Sequence, residues 1–93
     1  MIKLLSIIQR KPGMDVAAFQ EHWRTQHAPI VKRLPGLRRY VQSHTLLSGY
    51  RSRMPVADGI AELWFDNTAA LRALNGGEAL AAVRADEARF IDE

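Results

Sequence analysis

The chain has 93 residues, 47% of them apolar, and no cysteine, so it makes one domain and excludes disulfides, thiol catalysis and cysteine metal sites. Its net charge is +3, and its bases are spread along the chain with short pairs at 10–11, 32–33 and 38–39. Without a long basic run or an aromatic-basic stacking motif, nucleic acid is not an expected partner. The excess of Arg over Lys fits an anionic small-molecule ligand better.

The opening "MIKLLSIIQRKPG" is too short for a membrane span and lacks a small-residue cleavage site. No membrane partner is expected, and the cytoplasm is the default location. Residues 2–9, "IKLLSIIQ", are apolar on both alternating faces, as in a strand covered on both sides. Lys11-Pro12-Gly13 breaks this run, and Asp15 is placed to cap a helix. From Val16 the stripe 16, 19, 23, 27, 30, 31 and 34 has helical spacing, and Pro35-Gly36 ends it. Pro29 removes a donor from that helix, which predicts a kink just past His27 that turns its imidazole.

Residues 37–47, "LRRYVQSHTLL", alternate as a strand, with Tyr40, Gln42, His44 and Leu46 on one face. "SGYRSRMPVADG" is a long loop, of the kind that often carries function. Residues 60–65, "IAELWF", make a third strand, apolar apart from Glu62. Asp66-Asn67-Thr68 caps a short helix at about 68–74, Asn75-Gly76-Gly77 interrupts it, and a second helix runs from about 78 to 88.

The order β-α-β-β-α predicts an α+β, ferredoxin-like βαββα(β) domain over residues 1–93, with an antiparallel sheet and its fourth strand missing or truncated. Two helices cover only one sheet face. The other face is also apolar, which predicts a homodimer with facing sheets, a dimeric α+β barrel.

Four motifs in succession carry a resemblance: Phe19, His22, Trp23, His27, Ala28 and Pro29; "LPGLRRYVQSH" at 34–44; "DGIAELWFD" at 58–66; and "DEARFIDE" at 86–93. Together they resemble the EthD family of the dimeric α+β barrel superfamily. The resemblance implies a small homodimer with a pocket between sheet and helix, linked to catabolic operons, ether degradation included, and to polyketide tailoring. It also implies a likeness to methylmuconolactone isomerases, whose helix histidine matches His27 and whose third-strand thiol position is Leu63 here. A leucine cannot supply that thiol, so Leu63 is expected as a ligand contact only.

His22 and His27 are five apart, about 140° around an α-helix, and therefore do not converge on one ion. Neither a metal nor another cofactor is expected. His27 lies on the buried stripe and reads either as a satisfied core histidine or as a proton shuttle. His22 falls off the stripe and reads as a flank residue. Tyr40, Gln42 and His44 read as a pocket wall or as a solvent-facing strand surface. Glu62 in an apolar strand reads as an ion pair with Arg39 or as a general base with a raised pKa. Trp23 is core or a stacking surface for a planar ligand. Arg51 and Arg53 are solvated loop charges or steer an anion.

The expected catalytic set is His27, Tyr40 and His44, with Trp23, Gln42, Glu62 and Leu63 binding substrate. The expected function is binding of a small cyclic or aromatic metabolite, with cofactor-free proton transfer of the isomerase or lyase type. The alternatives are a non-catalytic accessory protein for an oxygenase pathway and a cofactor-free monooxygenase.

Overall fold

The structure, a computed structural model, describes residues 1–51 and 53–92; Ser52 of the long loop and Glu93 of the C-terminal motif lie outside the described residues. Strands β1 (Ile2–Ile8), β2 (Arg39–His44) and β3 (Gly59–Phe65) form one antiparallel sheet in the order β1-β3-β2. β1 and β2 both run antiparallel to β3, so they are parallel to each other and joined by a helical crossover. The crossover is α1 (Val16–His22), a π-helical turn (Trp23–His27) and α2 (Ala28–Val31). After β3 come α3 (Thr68–Arg72) and α4 (Glu78–Phe90). This is the expected α+β, ferredoxin-type plan. β2 is shorter than the apolar alternation of 37–47 suggests, because Leu37 and Leu46 lie beyond its pairing with β3.

After α4 the chain forms one antiparallel bridge, between Arg10 and Ile91. Two backbone bonds of 2.9 Å support it: Lys11 N–H to the Phe90 carbonyl and Asp92 N–H to the Gln9 carbonyl. No fourth strand forms among the described residues, and β1 keeps an unpaired edge there. Among the described residues no helix is long and apolar enough to cross a membrane.

Local chemistry sets the helix ends. The Asp15 carboxylate accepts from Ala18 N–H at 3.0 Å, and the Asn67 carbonyl oxygen accepts from Ala70 N–H at 2.9 Å, each satisfying an orphan first-turn donor. Gly36 takes φ +80° where the chain turns from the crossover into β2, a conformation that favours glycine. Pro29 has no N–H to give to the Thr25 carbonyl. The irregularity falls before the proline rather than past His27. The Ala28 N–H reaches five residues back to the Trp23 carbonyl, widening the turn at Trp23–His27.

The sheet register sorts side chains onto two faces. Ile2, Leu4, Ser6 and Ile8 of β1 stand opposite Phe65, Leu63, Ala61 and Gly59 of β3, which stand opposite Tyr40, Gln42 and His44 of β2 from Leu63 onward. This face meets the helices. The core joins Phe19, Trp23, Val31 and Leu34 of the crossover segment to Ala61, Leu63 and Phe65 of β3 and to Val83 and Phe90 of α4. Phe19 links the crossover to α4, with ring centroids 5.7 Å from Trp23 and 5.6 Å from Phe90. The other face carries Lys3, Leu5, Ile7, Arg39, Val41, Ser43, Ile60, Glu62 and Trp64, and no helix or strand among the described residues covers it. Leu5 is 54% and Ile7 66% exposed there.

A buried carboxylate pins the start of β3 to the end of β1. Asp58 accepts from the Arg10 backbone N–H at 2.8 Å, the Arg10 guanidinium at 2.5 Å and the Tyr50 hydroxyl at 2.6 Å. Burial alone would raise its pKa, but these donors hold it below the usual carboxylate value.

Gly59 sits directly under the Trp23 ring, and a β-carbon there would collide with the six-membered ring and lie 2.9 Å from the Ser43 carbonyl oxygen. Gly59→Ala is therefore expected to destabilise the fold by about 1–3 kcal/mol, the usual cost of overpacking a filled site. Urea unfolding should show a lower midpoint with unchanged slope.

Candidate functional site

The site begins where α4 packs on the widened turn. Asp86 lies three residues after Val83 and four before Phe90, both buried, so it is on the inward stripe of α4. It is only 6% exposed and needs partners to remain ionised. His27 Nδ1 lies 2.7 Å from Asp86 Oδ2, and His22 Nε2 lies 3.1 Å from both carboxylate oxygens.

This corrects the expectation that His22 and His27 do not converge: His22 is on the flank, yet both rings meet one carboxylate. The 140° separation holds for an α-helix, whereas the i→i+5 turn carries the fifth residue back toward the first. The Phe90 ring packs against both imidazoles, at 4.7 Å from His22 and 4.9 Å from His27.

Electrostatics set the state of the cluster. Burial pulls the His27 pKa down, more than the hydrogen bond and charge of Asp86 pull it up, and the neighbouring His22 lowers it further. Burial would raise the Asp86 pKa, but the bonds from His27 and His22 bring it below the usual value. At neutral pH the pair is thus a carboxylate and a neutral imidazole whose Nδ1–H donates to it. That tautomer leaves Nε2 as the basic nitrogen, and Nε2 has no hydrogen-bond partner among the described residues.

The His27 ring forms part of the wall of a cavity of about 660 Å³ between sheet and helices. Leu4, Leu34, Leu63, Phe65, Leu74 and Val83 are among its apolar lining residues, and Tyr40, Ser6, Arg72 and Arg84 are among the polar ones. Tyr40 is placed by a ladder along β2. Gln42 Nε2 donates to the Tyr40 hydroxyl oxygen and to the Trp23 carbonyl, both at 2.8 Å, and Gln42 Oε1 accepts from His44 Nε2 at 2.8 Å. Because the Tyr40 oxygen already accepts, its own O–H is left to donate. Burial raises the Tyr40 pKa, so it remains a phenol and acts as a donor rather than a base.

The Trp23 indole N–H is buried without an acceptor. It lies beside the Tyr40 oxygen closely enough to favour the ionised phenol, yet outside hydrogen-bond geometry.

Of the residues expected at the site, the structure brings His27, Tyr40, Trp23 and Leu63 to the cavity. The other three lie elsewhere. His44 stacks on Trp23 at 4.4 Å and ends the ladder away from the cavity lining. Gln42 orients Tyr40 from behind. Glu62 points from the opposite sheet face, where it pairs with Lys3 at 3.0 Å instead of with Arg39. Arg39 lies over the Trp64 ring at 4.9 Å. Arg51 and Arg53 do not line the cavity; Arg72 and Arg84 do, and neither makes an ion pair among the described residues.

Asp86 is the residue the sequence reading missed. Its signal was an acid at helical spacing between Val83 and Phe90 on an apolar stripe. Among the described residues no group of three or more His, Asp or Glu is arranged to hold a metal ion.

The model of the EthD domain family matches residues 11–93. An uncharacterised 11.0 kDa protein in the thcB–thcC intergenic region of Rhodococcus erythropolis is 29% identical over 65 residues, which is 70% of this chain and 60% of that protein. The chain thus spans less than two thirds of that relative. Two solved structures share the fold. A Bacillus halodurans protein described as of the ethyl tert-butyl ether (EthD) family has a TM-score of 0.78 at 24% identity, covering 98% of this chain and 88% of that one. HapK from Hahella chejuensis has a TM-score of 0.74 at 17% identity, covering 99% and 84%.

The lowered pKa of His27 makes stability depend on pH. The unfolded chain takes up a proton at this histidine below about pH 6.5, while the folded chain resists it, so stability is full above that value and falls as pH drops through it. Melting temperature should decline between pH 7.5 and 5.5, and the decline should be shallower in His27→Gln, with the also-lowered His44 supplying the remainder.

Proposed function

The chain belongs to the EthD family, and we propose that it is a cofactor-free proton-transfer enzyme acting as a homodimer on a small cyclic or aromatic metabolite. One observation carries this reading: a buried imidazole with Nδ1 held by a carboxylate and Nε2 unpartnered, set in the wall of an apolar cavity. A carboxylate that fixes the tautomer and steadies the imidazolium is the arrangement general-base catalysis needs.

In this reading Nε2 takes a proton from a ligand carbon and returns it at another position, or holds it while a neighbouring bond breaks. The Tyr40 O–H donates to the ligand oxygen on which charge develops, and the Gln42 amide keeps it aimed. The cavity, about 660 Å³, is within the range that takes a ligand of one to a few rings. Arg72 and Arg84 on its lining favour a ligand bearing a carboxylate or phenolate.

The reading includes a second copy of the chain on the uncovered sheet face. Leu5 and Ile7 are exposed there beside Val41, Ile60 and Trp64, a contiguous apolar surface that a monomer would leave in water. Facing sheets would bury it as in a β-sandwich. The Lys3–Glu62 pair and Arg39 on the same face would then meet their two-fold mates.

Thermal-shift screening of lactones, phenols and ring carboxylates identifies ligands, which are then assayed for turnover. His27→Ala should lower turnover by at least about 100-fold while the protein still unfolds cooperatively. Unchanged turnover removes His27 from the chemistry, and ligands that bind wild type without turnover indicate an accessory binding protein. Sedimentation should show a dimer at micromolar concentration, converted to monomer by Ile7→Asp. A monomeric wild type would overturn the two-sheet barrel.

A further inference from the structure

No described residue of the long loop between β2 and β3 lines the cavity, yet that loop holds large apolar side chains in water. Met54 is 71% exposed and Val56 93%. The chain around them is firmly tied. Gln9 Nε2 donates to the Val56 carbonyl at 2.6 Å, and Thr45 Oγ1 donates to the Ala57 carbonyl at 2.8 Å. The next residue is held through its backbone. Asp58 N–H donates to the Ile8 carbonyl at 2.9 Å, and the Asp58 carbonyl accepts from Thr45 N–H at 3.3 Å. The end of the loop is thus bonded to both edge strands.

The two side-chain anchors fix the side of the sheet on which this happens. Side chains alternate along a strand, so Gln9 continues the row Lys3, Leu5 and Ile7, and Thr45 continues the row Arg39, Val41 and Ser43. Both rows belong to the uncovered face. Two side chains of that face therefore hold residues 56 and 57 at its end, and Met54 shares an open surface depression with Gln9 and Lys11. Met54 and Val56 stand at the rim of the face that exposes Leu5 and Ile7.

Area shows why the rim matters. Strands of six or seven residues, about 4.8 Å apart and rising about 3.3 Å per residue, give the face a footprint of roughly 350 Å². A standard stable interface takes about 800 Å² from each partner. The sheet face alone falls well short of that.

We propose that Met54 and Val56 form a dimerisation rim, which extends the uncovered sheet face into one apolar surface and is buried by a second copy of this chain. The inference rests on the facing-sheet dimer proposed above and adds a second contact to it. Packed sheets lie only about 10 Å apart, so a copy seated on the face meets whatever stands at its end. By two-fold symmetry each copy offers a rim and receives one. Gln9 and Thr45 hold the rim in place before association, so less ordering is required when the copies meet.

The chain has no cysteine, so Val56→Cys introduces a single thiol. Sedimentation first gives the dimer dissociation constants of the wild type and of this variant. Alkylation of the thiol by iodoacetamide should then be at least about tenfold slower well above that constant than well below it, as for a group buried only in the dimer. Val56→Asp should raise the dissociation constant at least about tenfold. It should leave the melting temperature of the dilute monomer unchanged, because so exposed a side chain packs against nothing there. Thr45→Val removes a donor and no apolar surface, and should weaken the dimer by a smaller factor. A wild type that stays monomeric at micromolar concentration overturns the sheet dimer and the rim together, and leaves this surface to a different protein. A wild-type dimer whose Val56→Cys thiol reacts equally fast at both concentrations, or whose dissociation constant is unmoved by Val56→Asp, overturns the rim alone and leaves the facing sheets standing.

Discussion

The contact between Asp86 and the two histidines ties the second helical unit to the crossover. A carboxylate buried to this degree cannot remain ionised without donors, so α4 must present it where His22 and His27 converge. That requirement fixes the rotation of α4 on the sheet. With Asp86 turned toward the widened turn, Val83 and Phe90 fall onto the core and Arg84 and Glu87 onto the cavity wall. The polar cluster and the apolar core are two consequences of one helix orientation.

The widened turn is the second constraint. A regular α-helix would carry His22 and His27 to different sides, and Asp86 could satisfy one of them only. Pro29 withholds a backbone donor just after His27, and the chain responds with an i→i+5 bond from Ala28 to Trp23. Such turns are frequent at functional sites, and here the geometric effect is explicit: two rings on one acceptor. The ladder from His44 through Gln42 to Tyr40 does comparable work on the sheet side. It spends two polar side chains on holding a third at the cavity.

Much of the fold was legible because it depends on local rules. Asp15 and Asn67 cap the helices that follow them, as their side-chain chemistry suggests. The period-two alternation put Tyr40, Gln42 and His44 on one face, and the sheet has them there. The site was legible only in part. His27 and Tyr40 were legible as polar groups on patterned faces, and both line the cavity. Glu62 was misplaced because alternation gives two faces without saying which meets the helices; pairing to Leu5 and Val41 puts it on the uncovered one. Its partner, Lys3, is 59 residues away on a strand that neighbours it only in three dimensions.

Residues 22–29 show where the division falls. The order of strands and helices, the caps, the buried stripe and the presence of a fault at Pro29 follow from the sequence, since each depends on neighbours within a few positions. Membership of the EthD family follows too, because its motifs are strung along the chain in order. The form of the fault, and the carboxylate that makes use of it, were decided by tertiary structure. A missing donor can be absorbed by a kink, a fray or a wide turn with little local preference among them. Packing of α4, with Asp86 requiring two donors and Phe90 filling the space beneath both rings, selects the wide turn.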